Sequence, residues 1–202
     1  LSNLPVDKNI EISISNDLDR TFPDCEFFKD KYGSGQRHLY KVLCNYSKFN
    51  RDVGYVQGMA FIAAVMLTYM DEERVFFMMH SIMKKYEIEN IFLQGFPDLK
   101  KKFFVLLNLE KKFLPKIYCL FKDEEIIPMQ YASNWFFSLF ARSMDFNIIV
   151  RIFDTFFLEG FKVIYRFSLA ILKIKEKDFL NTNKEGIDTV NIALSNCCKN
   201  ID

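Results

Sequence analysis

Two short segments, Ile14–Pro23 and Val53–Met59, hold the residues best suited by type and spacing to do chemistry. In the first, Asp17 and Arg20 stand three positions apart, so in a helical turn they share a face and can hydrogen-bond. A carboxylate placed there fixes the direction of the guanidinium, and Pro23 ends the helical segment soon after. Taken alone, the pair also fits a surface ion pair worth about a few tenths of a kcal/mol. In the second, Gly54 and Gly58 bracket Tyr55 and Gln57 just before the most apolar stretch of the chain. Glycines permit a tight backbone, so an amide between them can point outward. By itself this too has a plainer account, a solvated glutamine in a helix-start turn.

Other chemistry finds little support. The two histidines, His38 and His80, lie far apart, and no Cys/His set has metal-ligand spacing, so neither a zinc site nor a His-activated nucleophile is expected. Gly33-Ser34-Gly35 lacks the Lys of a P-loop and follows no strand, so no nucleotide is expected to bind to the chain itself. Asp71-Glu72-Glu73 reads as a helix start favoured by the dipole rather than as a metal motif. The five cysteines (Cys25, Cys44, Cys119, Cys197 and Cys198) form no C-x-x-C, which suits free thiols in a reducing cytosol. With 27 basic and 26 acidic residues the net charge is +1, which points away from nucleic acid and from an electrostatic membrane binder. The apolar run Met59–Met70 is too short to span a bilayer, and no signal peptide begins the sequence.

The elements that must position these residues are helices. Half of the residues are hydrophobic and 23 are Phe, enough for a substantial core in 202 residues. Leu39, Val42, Leu43 and Tyr46 fall at helical spacing, and no segment alternates cleanly over a strand length. Lys84 and Lys85 suit the end of the helix that Asp71 opens. Pro97-Asp98 opens a stretch with Leu99, Phe103, Leu106 and Leu107 on one side, and Pro115 suits the first turn of the next helix. Ser133 or Asn134 is predicted to cap a helix carrying Trp135, Phe136, Leu139 and Phe140. Asp145 is predicted to cap another with the stripe Ile148, Ile149, Ile152, Phe153 and Phe156, stopped by Gly160. Ile164, Phe167 and Ile171, then Ile187, Val190 and Leu194, complete the series. The main turn-rich break is Tyr32–Gly35. The expectation is an all-α protein.

The run I-x-x-D-x-x-R (Ile14, Asp17, Arg20) followed by Y-x-Q-G (Tyr55, Gln57, Gly58) resembles the TBC-domain family of Rab GTPase-activating proteins. Asn50 before the glutamine motif, Trp135 opening an aromatic segment, and Arg151-Ile152-Phe153-Asp154 followed by Glu159-Gly160 extend the resemblance from about residue 14 to about residue 172. Phe153 stands where the family usually carries Trp, and Met144-Asp145 where it often carries Pro. The family's opening R-x-x-x-W segment is absent from these residues, so the start of the domain is expected upstream of Leu1.

The resemblance implies a two-lobed helical domain, with residues 1–95 as the lobe bearing both motifs and 96–202 as the second. It implies a GTPase activator rather than an enzyme with its own turnover. Arg20 would serve as an arginine finger and Gln57 would orient the attacking water, both supplied in trans. Asp17 would hold Arg20, and Tyr55 and Gly58 would shape the backbone around Gln57. The implied partner is a Rab-type GTPase in its GTP-bound state, which carries GTP and magnesium, so no cofactor is expected on this chain. The implied location is the cytoplasm, with recruitment to membranes through the partner or flanking regions. A non-catalytic GTPase-binding scaffold of the same fold, or a general helical adaptor, is the alternative.

Overall fold

The computed structural model describes residues 5–182 and 187–198, and every regular element among them is a helix. The chain divides into two compact units, Leu1–Pro97 and Asp98–Asp202.

In the first unit, helix α2 (Ser34–Phe49) packs against α1 (Lys8–Leu18), α3 (Met59–Leu67) and α4 (Glu72–Lys85), and a short α5 (Glu89–Phe92) follows. The stripe predicted from spacing, Leu39, Val42, Leu43 and Tyr46, is buried. All nine residues of α3 are buried, which explains why its sequence is apolar on every side. Asp7 caps α1 by accepting the Asn9 N–H at 2.8 Å, and Asp71 caps α4 by accepting the Arg74 N–H at 2.9 Å. Acidic residues in the first turn of α4 and Lys84 and Lys85 in its last complement the helix dipole. The glycine-rich break is shorter than its composition suggests, because Gly35 already lies in the first turn of α2. A Cβ there would stand 2.0 Å from the Phe27 carbonyl oxygen, so glycine lets α2 press against the preceding backbone.

The second unit holds most of α6 (Pro97–Phe113), then α7 (Pro115–Asp123), α8 (Pro128–Tyr131), α9 (Ser133–Ser138), α10 (Phe146–Glu159), α11 (Lys162–Ile174), α12 (Glu176–Thr182) and α13 (Ile187–Asn196). Leu99, Phe103 and Leu106 are buried along α6, with Leu107 at the edge of the stripe. In α10 the stripe is Ile149, Ile152, Phe153 and Phe156, with Ile148 half-buried, and Gly160 ends the helix at φ 76°. Phe167 is likewise half-buried, while Ile164, Ile171, Val190 and Leu194 are buried; the Ile187 side chain lies outside the described ones.

The segment after Ser133 departs from expectation. The residue before α9 is Ala132, which offers no side-chain cap, and the Ser133 hydroxyl donates backward to the Met129 carbonyl. The helix stops at Ser138 instead of carrying Leu139 and Phe140. Those two adopt φ 50° and 67°, and both are fully buried. Left-handed backbone costs on the order of 1 kcal/mol per residue, whereas burying each of these side chains contributes about 2 kcal/mol. Phe140 stacks on Trp135 with ring centroids 5.4 Å apart, so packing wins over helix continuation. Asp145 stands at the position before α10, but its side chain makes no capping hydrogen bond.

Candidate functional site

Helix α1 turns two side chains inward, Ile14 and Asp17, which are 0% and 1% exposed. The helix ends at Leu18, and the Thr21 hydroxyl closes the turn by donating to the Asp17 carbonyl at 2.6 Å. Arg20 leaves this turn with its side chain 46% exposed, and its Nη2 donates to Asp17 Oδ1. The predicted i, i+3 pair is therefore present, but it is no ordinary surface pair, because its acidic half is buried.

The second motif reaches the same carboxylate. Tyr55 is half-buried, and its hydroxyl donates to Asp17 Oδ2, so Asp17 joins two segments separated by 38 residues. Burial and then the Asp17 carboxylate push the Tyr55 phenol far above its ordinary range, which keeps it a proton donor. The sequence reading assigned Tyr55 to the backbone around Gln57, whereas its hydroxyl also orients the carboxylate that holds Arg20. The residue type offered only a partial signal: a tyrosine hydroxyl in a half-buried loop calls for a hydrogen-bond partner, without saying which one.

Two glycines shape the loop between α2 and α3. Gly54 has φ 62°, and Gly58 has φ 111° where it precedes α3. At Gly58 a side chain would be strained, and its carbonyl accepts the first N–H groups of α3, from Phe61 at 3.1 Å and Ile62 at 3.4 Å. Gln57, immediately before it, is exposed. Gly54 lies beside α1, with room for a Cβ only 3.2 Å from Ile10 Cδ1. Arg20 and Gln57 are therefore both exposed on segments that meet at α1. Among the described residues no group of three or more His, Cys, Asp or Glu is suited to a metal ion. The site can offer a fixed cation and a hydrogen-bonding amide to something held outside the chain.

A match to the Rab-GTPase-TBC domain family spans residues 2–180. The chain belongs to that family. Rab GTPase-activating protein tbc-11 of Caenorhabditis elegans is 36% identical over 173 residues, covering 86% of this chain and 18% of that protein. The human ecotropic viral integration site 5 protein homolog is 32% identical over 174 residues, 86% of this chain and 22% of its own. The chain thus spans about a fifth of the length of these curated relatives. The crystal structure of the Chlamydomonas flagellar RabGAP TBC domain superimposes with a TM-score of 0.76 at 26% identity, over 94% of this chain and 63% of that one.

Within this TBC domain, Asn50 supports the glutamine-bearing loop in a way that its place in the sequence did not reveal. Its backbone carbonyl accepts the Gly54 N–H at 2.8 Å, its Oδ1 accepts the Val53 N–H at 3.4 Å, and its Nδ2 donates to Glu89 Oε1 at 2.6 Å. Burial opposes the Glu89 charge, but hydrogen bonds from Lys84 and Asn50 hold the carboxyl below its ordinary range. Phe153, at the position where the family usually carries Trp, is buried and meets Phe157 edge-on at 5.9 Å. No helix among the described residues is long and apolar enough to cross a membrane.

Proposed function

We propose that this TBC domain accelerates GTP hydrolysis by a Rab-type small GTPase in its GTP-bound state, supplying Arg20 and Gln57 in trans. The observation that carries the reading is the shared carboxylate: Asp17 accepts hydrogen bonds from Arg20 on one oxygen and Tyr55 on the other. That arrangement aims an exposed guanidinium from a buried support and couples it to the loop that carries Gln57. That the C. elegans relative is a Rab GTPase-activating protein and the Chlamydomonas structure a RabGAP TBC domain supports the same reading.

GTP hydrolysis needs an in-line water and neutralisation of charge that develops on the phosphate oxygens. Arg20 stays protonated and can bridge two of those oxygens, the role in which an inserted arginine raises the rate by on the order of 10³ to 10⁵. Gln57 orients the attacking water, with Gly58 setting the backbone behind it. Magnesium and GTP belong to the partner, so the domain completes another protein's active site. Its place of action is the cytoplasmic side of membranes, reached through the partner or flanking regions.

The test is single-turnover phosphate release across a panel of GTP-loaded Rab GTPases, with the wild-type chain and Arg20→Ala. At least one GTPase is expected to be stimulated by the wild type, with most of that stimulation lost in the variant. Stimulation of no GTPase, or half the wild-type effect retained by Arg20→Ala in folded protein, contradicts the proposal.

A further inference from the structure

Outside the finger site, two adjacent cysteines lie together in the second unit, just after α13. Cys197 and Cys198 are both buried, 2% and 9% exposed, and their sulfurs lie 3.9 Å apart. Cys198 also lines a cavity of about 400 Å³, with Tyr131, Trp135, Arg142 and Leu194 among its walls.

This spacing is poorly suited to a disulfide. Adjacent Cα atoms are about 3.8 Å apart across a trans peptide, short of the roughly 4.4–6.8 Å that disulfides usually bridge. A single atom bonded to both sulfurs asks less of the pair. Two bonds of about 2.3 Å meeting near a right angle, as at a pyramidal trivalent centre, need the sulfurs roughly 3.3 Å apart. That is a much smaller approach from 3.9 Å than the roughly 2.0 Å of a disulfide bond. Among the described residues no third Cys, His, Asp or Glu completes a metal-binding group with the pair. The centre that suits it needs only two sulfurs and brings its own third substituent. Cys198 is also the better nucleophile of the two: the hydrogen bond with Cys197 lowers its thiol pKa, burial opposes, and the Trp135 indole assists. The same contact and burial push the Cys197 thiol up.

We propose that Cys197 and Cys198 form a dithiol clamp for a trivalent organoarsenic centre, reached through the cavity that Cys198 lines. In the bonding step, the arsenic–oxygen bond of an arsine oxide is replaced by two arsenic–sulfur bonds. The two thiol protons leave with that oxygen as water, and no electrons are transferred. The site is separate in sequence from Arg20 and Gln57 and does not depend on the proposed GTPase activity.

Phenylarsine oxide is the probe, at one equivalent per folded chain, read by intact mass and then by peptide mapping. The expected product carries one phenylarsenic group in place of two hydrogens, on the peptide that holds both cysteines. Dimercaptopropanol should remove it, while excess glutathione should not, because a single thiol cannot match a two-point chelate. Cys197→Ser and Cys198→Ser should each lose the adduct, with circular dichroism checking the fold, and Cys119→Ser should retain it. Absence of the adduct on the wild-type chain, its mapping to Cys25, Cys44 or Cys119, or its removal by glutathione overturns the proposal, whether or not the serine variants fold.

Discussion

Each unit of this TBC domain buries a carboxylate against a tyrosine hydroxyl, and the two pairs are completed differently. Asp17 in the first unit has Arg20 on one oxygen and Tyr55 on the other. Glu110 in the second has Tyr131 on Oε1, while Oε2 is buried with no hydrogen-bond partner. Glu110 is 0% exposed, and burial pushes its carboxyl up to about 7, with the Tyr131 hydrogen bond opposing. A guanidinium stays charged at any ordinary pH, so Asp17 is paired with a permanent cation. Glu110 is built to hold a proton at mildly acidic pH. The same side-chain chemistry thus positions a cation in one unit and makes the other sensitive to pH.

The comparison breaks first, and by the largest margin, at Arg20. Arg20→Lys keeps a cation for Asp17 but lacks the planar fork, so stimulated hydrolysis should fall by on the order of 10³ while the melting temperature stays close to wild type. Arg20→Ala should lose the same rate and also melt lower, because it removes a donor from a buried carboxylate. An Arg20→Ala variant that melts with the wild type would mean that Asp17 does not need the guanidinium.

The next effect is thermodynamic and belongs to Glu110. Between its ordinary value of 4.5 and about 7, the unfolded chain has released the proton that the folded chain keeps. Stability should therefore fall as pH rises across that window, by about 3 kcal/mol in all, and then level off. Denaturant titrations at several pH values measure this. Glu110→Gln should flatten that portion of the profile while leaving GTPase stimulation within about twofold. A wild-type profile that rises through the window would contradict the raised carboxyl.

The smallest effect distinguishes orienting from binding. Tyr55→Phe removes only the hydroxyl on Asp17 Oδ2, so the maximal stimulated rate should drop by about tenfold with little change in the concentration needed for half-maximal stimulation. A lowered melting temperature with an unchanged rate would make Tyr55 a purely structural partner.

Helical periodicity made the architecture legible, and the motif spacings made the candidate site legible. Local patterns carry that information: Asp71 lies three residues before Arg74, and Leu39 lies seven before Tyr46, whatever the rest of the chain does. What spacing could not supply was the meeting of segments distant in sequence. Nothing in Tyr55 or Asn50 alone specifies Asp17 or Glu89 as its partner. Leu139 and Phe140 misled for a related reason, since their apolar pattern continues a helix that tertiary packing ends at Ser138. Glu110 was legible and overlooked. It follows Leu99, Phe103 and Leu106 at helical spacing, so a carboxylate stood on the buried stripe in plain view.

The central claim is that this domain supplies both hydrolytic side chains from outside the GTPase, and Gln57 tests it most directly. In the usual arrangement a GTPase positions the attacking water with its own glutamine, so replacing that glutamine with leucine blocks activated hydrolysis. The measurement is the initial rate of phosphate release by a responsive Rab GTPase carrying that leucine, with the wild-type chain in one arm and Gln57→Ala in the other. Appreciable stimulation is expected in the first arm and none in the second, where no water-positioning amide remains on either side. Equal rates in the two arms would show that Gln57 only shapes a turn, and the two-finger account would be wrong.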